Sequence, residues 1–229
     1  MRQHPTPLIT GLCLLVTIAA QGQNVFSIGP LVGLTVAGAN ESTSPDITIT
    51  YRTGLEAGVQ SVLQLGHLAV QPSLRFTQKG LHYHYGSGLF NSDTDYRLNY
   101  LMLPLNLAYS LRSDGQGWQV FAGPHIGLLL GGNYQQHSLD RSGGGNYASA
   151  GDIKPGENYE VPPVGTTYYP LRCHRFDGGV QAGLGYRYGK LLGQAGFSFG
   201  LRDLGPQLPA FHNRTAHASL SYLLSSPGQ

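Results

Sequence analysis

The sequence predicts an all-β fold, an eight-stranded antiparallel up-and-down transmembrane β-barrel. Three observations support this prediction. Apolar residues recur at every second position in eight segments, which is the period of a strand with two different faces. The connections between the segments are alternately long and short, and one face carries too many polar side chains for a conventional apolar core.

The composition agrees with such a barrel and argues against other classes of protein. The chain has 33 glycines and 14 tyrosines, but only 11% of its residues are charged. The net charge is +2 and the basic residues are scattered, so no nucleic-acid partner is predicted. No cofactor motif is found, and we expect no cofactor.

The N-terminal residues have the features of a secretory signal peptide. Arg2 precedes an apolar run over residues 8–20, and small residues follow this run. The run is shorter than the roughly 20 residues that a membrane-spanning helix needs. We therefore predict a signal peptide over residues 1–22 and one barrel domain over residues 23–229.

The first four segments alternate apolar side chains with polar or small ones. The third segment is the most regular, because both of its charges, Arg75 and Lys79, fall on one face. The apolar faces are Phe26, Ile28, Val32 and Leu34; Leu55, Ala57, Val59 and Leu63; Leu68, Val70, Leu74 and Phe76; and Leu101, Leu103, Leu105, Leu107 and Tyr109.

The last four segments repeat the pattern and include many glycines. Glycines on the polar face leave room for Arg and Gln side chains from opposing strands. The apolar faces are Trp118, Val120, Ile126, Leu128 and Leu130; Phe176, Val180, Ala182, Leu184, Tyr186 and Tyr188; Leu191, Ala195, Phe197, Phe199 and Leu201; and Ala216, Ala218, Leu220, Tyr222 and Leu224.

The connections run to about 15, 3, 14, 7, 40, 2 and 12 residues, an alternation that is typical of outer-membrane barrels. It predicts long loops outside the cell and tight turns in the periplasm. The longest connection, residues 132–172, has the Gly, Ser, Asn and Tyr content of a mobile surface loop. Such a loop is suited to bind a protein partner, and a solvated loop without a partner is the alternative.

The polar face is expected to fill the lumen. Eight strands leave no open pore, so we expect a lumen closed by ion pairs and hydrogen bonds. We predict that Glu56 or Asp177 pairs with Arg75, Arg187 or Arg202. The predicted lumen-facing polar network is Glu56, Arg75, Lys79, Asp177, Arg187 and Arg202.

Short motifs along the chain occur in the order and spacing of a known family. They are QPSLRFTQKG (71–80), YLMLPL (100–105), AGP (122–124), FDGG (176–179), GLGY (183–186), GLRDL (200–204) and NR (213–214). In these motifs the chain resembles the PorT-like outer-membrane β-barrel family, also described as the outer membrane protein β-barrel domain. The resemblance implies a location in the cell outer membrane. The family takes its name from a protein associated with secretion and gliding machinery.

Several partners and function classes follow as expectations. The barrel is expected to be a monomer that contacts outer-membrane lipid and lipopolysaccharide, and the barrel-assembly machinery during insertion. We favour an integral-membrane protein of structural or interaction type, with an envelope, adhesion or secretion-accessory role through its outer loops. A lipid-modifying enzyme, a small-solute carrier or channel, and a soluble lipocalin-like binder are the alternatives.

A few residues suggest sharper hypotheses. His82 and His84 would share a face of a continued strand, as in a metal site, although an aromatic-rich strand end at the membrane interface is the preferred interpretation. His125, His217 and Ser219 share only their lumen-facing position, so we predict no enzyme activity, no catalytic site and no metal site. Cys173 is expected to be an unpaired thiol.

Overall fold

The computed structural model describes residues 25–39, 46–156, 170–203 and 212–225. In this part of the chain no helix is long and apolar enough to cross a bilayer. The described residues form eleven strands: β1 Val25–Ala39, β2 Ile47–Leu65, β3 Leu68–Ser87, β4 Phe90–Ser110, β5 Gly117–Asp140, β6 Gly145–Pro155, β7 Leu171–Cys173, β8 Phe176–Tyr188, β9 Leu191–Asp203, β10 His212–Tyr222 and β11 Leu224–Ser225. The predicted signal peptide lies outside the described residues.

Eight of these strands form a closed antiparallel ring in the order β1, β2, β3, β4, β5, β8, β9 and β10. The ring closes where β10 pairs with β1, with Leu34 opposite Ala218. Closure pairs the backbone of every ring strand on both sides, as a bilayer core without water requires. The predicted eight-stranded barrel is confirmed.

The two faces of the ring have opposite chemistry. Leu55 is 59% exposed and Leu103 is 56% exposed on the outside, whereas Gln60 and Gln71 are almost fully buried inside. This distribution is the reverse of that in a soluble protein, where apolar residues fill the interior. The continuous apolar band of the ring strands therefore faces lipid, and it argues against the soluble lipocalin-like binder.

One end of the ring has the tight turns that the sequence predicts. β2 joins β3 through Gly66 and His67, and β8 joins β9 through Gly189 and Lys190. Gly66 and Gly189 have φ values of 62° and 57°, a conformation that glycine adopts without steric cost. Short turns lie on the periplasmic side of such barrels, so the opposite end is the outer end.

The outer end differs from the prediction, because most of the expected loops are regular sheet. β3 and β4 continue far beyond the apolar band and meet at a turn of two residues, Gly88 and Leu89. β5 continues to Asp140 and forms a hairpin with β6. The interpretation of residues 132–172 as a mobile loop is therefore wrong for the part that β5, β6 and β7 occupy.

A β-bulge explains why the sequence pattern hid this extension. The pairing of β4 with β5 shifts register between Asn99 and Tyr100, and Gly131 has a φ of 145° at this point. Below the bulge the odd-numbered residues of β5 face inward, and above it the even-numbered residues do so, with Tyr134 buried. The alternation thus changes phase within one strand.

The extension is called the outer sheet below. It contains five antiparallel strand segments beyond the apolar band, held in register by continuous pairing. These segments are residues 47–51 of β2, 80–87 of β3, 90–98 of β4, 132–140 of β5 and 145–153 of β6.

A charged side chain on the lipid face should destabilise the barrel more strongly the closer it lies to the middle of the bilayer. Leu103→Arg, near the middle of the band, is expected to lower the free energy of unfolding by about 2–4 kcal/mol. Leu111 is equally apolar and 67% exposed, but it lies in the periplasmic turn, so Leu111→Arg should cost much less. Urea titration of the barrel in lipid vesicles measures both values. Equal costs at the two sites would contradict the assignment of the band.

Candidate functional site

Two apolar clusters enclose the polar interior of the barrel. Both consist of buried side chains, one at the level where the outer sheet begins and the other towards the periplasmic turns. The outer apolar cluster is Leu81, Leu98, Tyr100, Met102, Leu129, Tyr134, Ile153 and Cys173. The periplasmic apolar cluster is Val62, Ala69, Ala108, Phe121, Leu192 and Leu223.

An arginine from β3 forms the first buried ion pair between these clusters. Arg75 Nη1 lies 3.4 Å from Glu56 Oε1. The same guanidinium donates through Nη2 to Gln60 Oε1 at 3.1 Å and through Nε to Ser73 Oγ at 2.9 Å. A buried charge is tolerated when it is paired and its remaining donors are satisfied, and Arg75 meets both conditions.

A lysine four residues further along β3, towards the outer end, forms the second ion pair. Lys79 Nζ lies 3.1 Å from Asp177 Oδ2 and 5.1 Å from the centre of the Tyr100 ring. Asn213 Nδ2 donates to the same Asp177 oxygen at 2.8 Å. This pair connects β3, β8 and β10 across the lumen, so it holds opposite walls of the barrel together.

The other residues of the predicted lumen-facing network differ from the prediction in their partners or positions. Asp177 pairs with Lys79 and not with an arginine. Asp177 lies on β8 and Lys79 on β3, and these two strands face each other across the lumen only because the ring is closed. Arg187 lies near the periplasmic end, where its Nη2 donates to Ser27 Oγ at 3.3 Å and its Nε donates to the Gly189 carbonyl at 3.4 Å. The side chain of Arg202 falls outside the described residues.

Side-chain amides form a further layer of lumen hydrogen bonds that the sequence pattern did not predict. Gln71 accepts a hydrogen bond from Gln194 at 2.9 Å and donates one to Gln119 at 2.9 Å. Gln181 donates to Asn106 at 2.8 Å. The inward position of these residues could be read from the alternation, but their partners come from distant strands.

The interior is filled. The cavity between the ion pairs, lined by Glu56, Arg75, Lys79 and His217 among others, has a volume of about 20 Å³. That is room for about one water molecule. Within the described residues the lumen therefore offers no passage for a solute.

The two histidines and the serine of the catalytic hypothesis lie inside this filled lumen. His125, His217 and Ser219 are each at most 8% exposed. His217 packs against Phe121, with 6.4 Å between ring centres. A lipid-modifying site needs to open at the outer rim, where the substrate enters, and these three side chains do not reach that rim.

The exposed face of the outer sheet carries rows of histidines and carboxylates. His84, Asp93 and His137 lie opposite one another on β3, β4 and β5. His84 Nδ1 is 2.6 Å from Asp93 Oδ1, and in the next row His82 is 3.6 Å from a carboxylate oxygen of Asp95. His82 and His84 do share a face, but among the described residues no three His, Cys, Asp or Glu side chains form a group suited to a metal ion.

The single cysteine of the barrel domain is buried in the outer apolar cluster. Cys173 is a free thiol with 1% exposure. Burial raises the pKa of the Cys173 thiol to about 12. Because the thiolate is the reactive species, this thiol is protected from oxidation and from intermolecular disulfide formation.

The closed ring, the lipid-facing apolar band and the polar lumen are features of outer-membrane barrels. The family model of the outer membrane protein beta-barrel domain matches residues 19–205. This chain belongs to that family. The barrel is therefore an outer-membrane protein, in agreement with the predicted location.

Several solved structures are similar to this one at low sequence identity. The attachment invasion locus protein Ail of Yersinia pestis shares 10% identity over 86% of this chain and 98% of that chain, with a TM-score of 0.41. Neisserial surface protein A shares 11% identity over 86% of this chain and 96% of that chain, with a TM-score of 0.43. The outer membrane protein OprG of Pseudomonas aeruginosa shares 10% identity over 88% of this chain and 94% of that chain, with a TM-score of 0.36. Comparison with curated proteins finds no match.

Removing one partner of a lumen ion pair should destabilise this barrel strongly. Asp177→Ala leaves the Lys79 ammonium buried without its carboxylate, which is expected to cost about 3–5 kcal/mol. Replacing both residues, with Lys79→Met and Asp177→Leu, should restore most of that stability. Unfolding in urea, followed by the heat-dependent shift in gel migration, measures both variants.

The exposed periplasmic pair Arg112 and Asp114 provides the matched control. Arg112 Nη2 lies 2.6 Å from Asp114 Oδ2, and this hydrogen bond lowers the pKa of the Asp114 carboxyl. The two side chains are 67% and 48% exposed, so Asp114→Ala should change the unfolding transition far less than Asp177→Ala. A similar loss in Asp114→Ala and Asp177→Ala would show that burial of the lumen pair is unimportant.

Proposed function

We propose that this protein is a non-conducting outer-membrane barrel of structural or interaction type that acts at the cell surface through its outer sheet. One observation supports this proposal above all. The lumen holds a cavity of only about 20 Å³, while the sheet continues as an ordered platform beyond the lipid-facing band. The platform is therefore the surface best placed to meet another molecule.

The exposed face of the outer sheet has the chemistry of a polar recognition surface. The side chains of His82 and His84 are about half exposed, and that of Asp93 is 70% exposed. Each lies in register with a carboxylate, an imidazole or an amide on a neighbouring strand, so the surface presents a defined pattern. Polar, partly hydrated surfaces of this type are common in protein interfaces that form and dissociate.

The inner face keeps this platform rigid. Tyr134 of β5 and Ile153 of β6 are almost fully buried in the outer apolar cluster. Gln136 donates to Ser92 at 2.9 Å, and Ser149 donates to Gln136 at 3.2 Å. A rigid platform loses little conformational entropy when it binds, which favours a role in adhesion, in envelope integrity or as an accessory to secretion.

The resemblance to the PorT-like family supports the same proposal at a finer level. The QPSLRFTQKG motif contains Arg75 and Lys79, and the FDGG motif contains Asp177, so both motifs supply side chains to the lumen ion pairs. The motifs thus correspond to the closed interior of the barrel. We propose that the chain is a PorT-like barrel and that it functions as a monomer inserted by the barrel-assembly machinery.

Conductance in planar bilayers tests whether the lumen is closed. The purified barrel is expected to give no discrete openings, because ion pairs and amides occupy the interior between two apolar clusters. An open porin in the same bilayer is the positive control. Step-like openings of the folded protein would favour the small-solute channel.

Shortening the outer hairpin tests the role of the outer sheet. Residues 135–150 are replaced by Asn-Gly, a two-residue turn that fits the opposed pair Tyr134 and Gly151. The barrel should remain intact by gel migration, because Tyr134 and Ile153 are retained. We expect cells with this variant to show the same envelope, adhesion and secretion behaviour as cells that lack the protein.

A control variant exchanges only the hairpin tip, residues 141–144, and should behave as the wild type. If the shortened hairpin fully complemented the deletion, the outer sheet would not be the functional surface.

A further inference from the structure

We infer that a cleft at the lower edge of the outer sheet binds the phosphate group of an outer-leaflet glycolipid, the chemistry that lipopolysaccharide presents. The cleft has a volume of about 200 Å³ and is lined by residues of β2 to β5, including the buried Lys79 of the second lumen ion pair. The side chains that carry the argument are Arg52, Gln78, Arg97, Asn99 and Asn133. This site is independent of the protein-docking role proposed for the sheet.

The position of the cleft matches the level of lipid head groups. Gln78 and Asn99 lie opposite each other, two residues beyond the opposed pair Phe76 and Leu101 of the apolar band. Because alternate residues of a strand share a face, the two amides lie directly above the acyl-chain level on the lipid side. A lipid whose chains contact Phe76 therefore presents its head group to the cleft.

The cleft contains two guanidinium groups that share one carboxylate. Arg52 forms an ion pair with Asp95, and Arg97 Nη2 lies 3.6 Å from the other oxygen of Asp95. Two positive charges and one negative charge leave a net charge of +1, and the Arg97 side chain is 54% exposed. A guanidinium group binds phosphate through two parallel hydrogen bonds, so this arrangement favours a phosphate over a neutral sugar.

The backbone is shaped to keep Arg52 in the cleft. A Cβ atom on Gly80 would lie 2.8 Å from Arg52 Cδ and 2.1 Å from the Tyr96 carbonyl oxygen. The absence of a side chain at this position lets Arg52 cross β3 and reach β4. Asn133 lies opposite Arg97 on β5 and adds an amide donor beside the guanidinium group.

Binding of purified glycolipids tests the site. The full barrel in neutral detergent is titrated with phosphorylated lipid A, with dephosphorylated lipid A and with inorganic phosphate. Phosphorylated lipid A should bind most tightly, and Arg97→Gln should weaken it about tenfold through the loss of a charge-assisted hydrogen bond. Arg112→Gln is the matched control, since Arg112 also pairs with an aspartate but lies in the periplasmic turn.

Asp95→Asn distinguishes binding from a structural role of the charge cluster. Asp95 competes with phosphate for both guanidinium groups, so this variant should bind phosphorylated lipid A more tightly than the wild type. Four outcomes would overturn the proposal: equal binding of the two lipids, equal binding by Arg97→Gln and wild type, weaker binding by Asp95→Asn, or an equal loss in Arg112→Gln. Inorganic phosphate that binds as tightly as the lipid would identify a free-phosphate site and overturn the lipid assignment.

Discussion

Pairing of the backbone around a closed ring is the constraint on which this structure depends. In the hydrocarbon core no water is available to the peptide N–H and C=O groups, so every ring strand must pair on both sides. The pairing of β1 with β10 meets this need by closing the sheet on itself. Closure also directs alternate side chains to lipid and to the lumen, which is why Leu103 faces outward and Asn106 faces inward.

A polar interior without bulk water then needs internal partners for each charge. Arg75 with Glu56 and Lys79 with Asp177 provide such partners, and Gln60 and Ser73 accept further hydrogen bonds from Arg75. Apolar clusters lie on the outer and the periplasmic side of the two ion pairs. We propose that this interior does not conduct solutes and that recognition takes place on the outer surface.

The bulge at Gly131 marks the boundary between the membrane-spanning barrel and the outer sheet. Above the bulge the sheet continues, but its outward face carries Arg97, Asp95 and His84 in place of leucine. The same sheet thus passes from a lipid-facing wall to a polar platform, with the Arg52, Asp95 and Arg97 cluster at the boundary. We propose that this boundary holds a lipid phosphate and that the platform above it meets a protein.

The sequence by itself determined the barrel, the strand faces and the tight periplasmic turns, because alternation and turn glycines are local properties of the chain. It placed Arg75, Lys79, Glu56 and Asp177 on the inward face for the same reason. Only the tertiary structure decided that Lys79 meets Asp177, since these residues lie far apart in sequence and become neighbours through ring closure. It also decided that residues 132–140 and 145–155 continue as sheet, because a bulge reverses the pattern and the burial that stabilises Tyr134 comes from β3, β4 and β6.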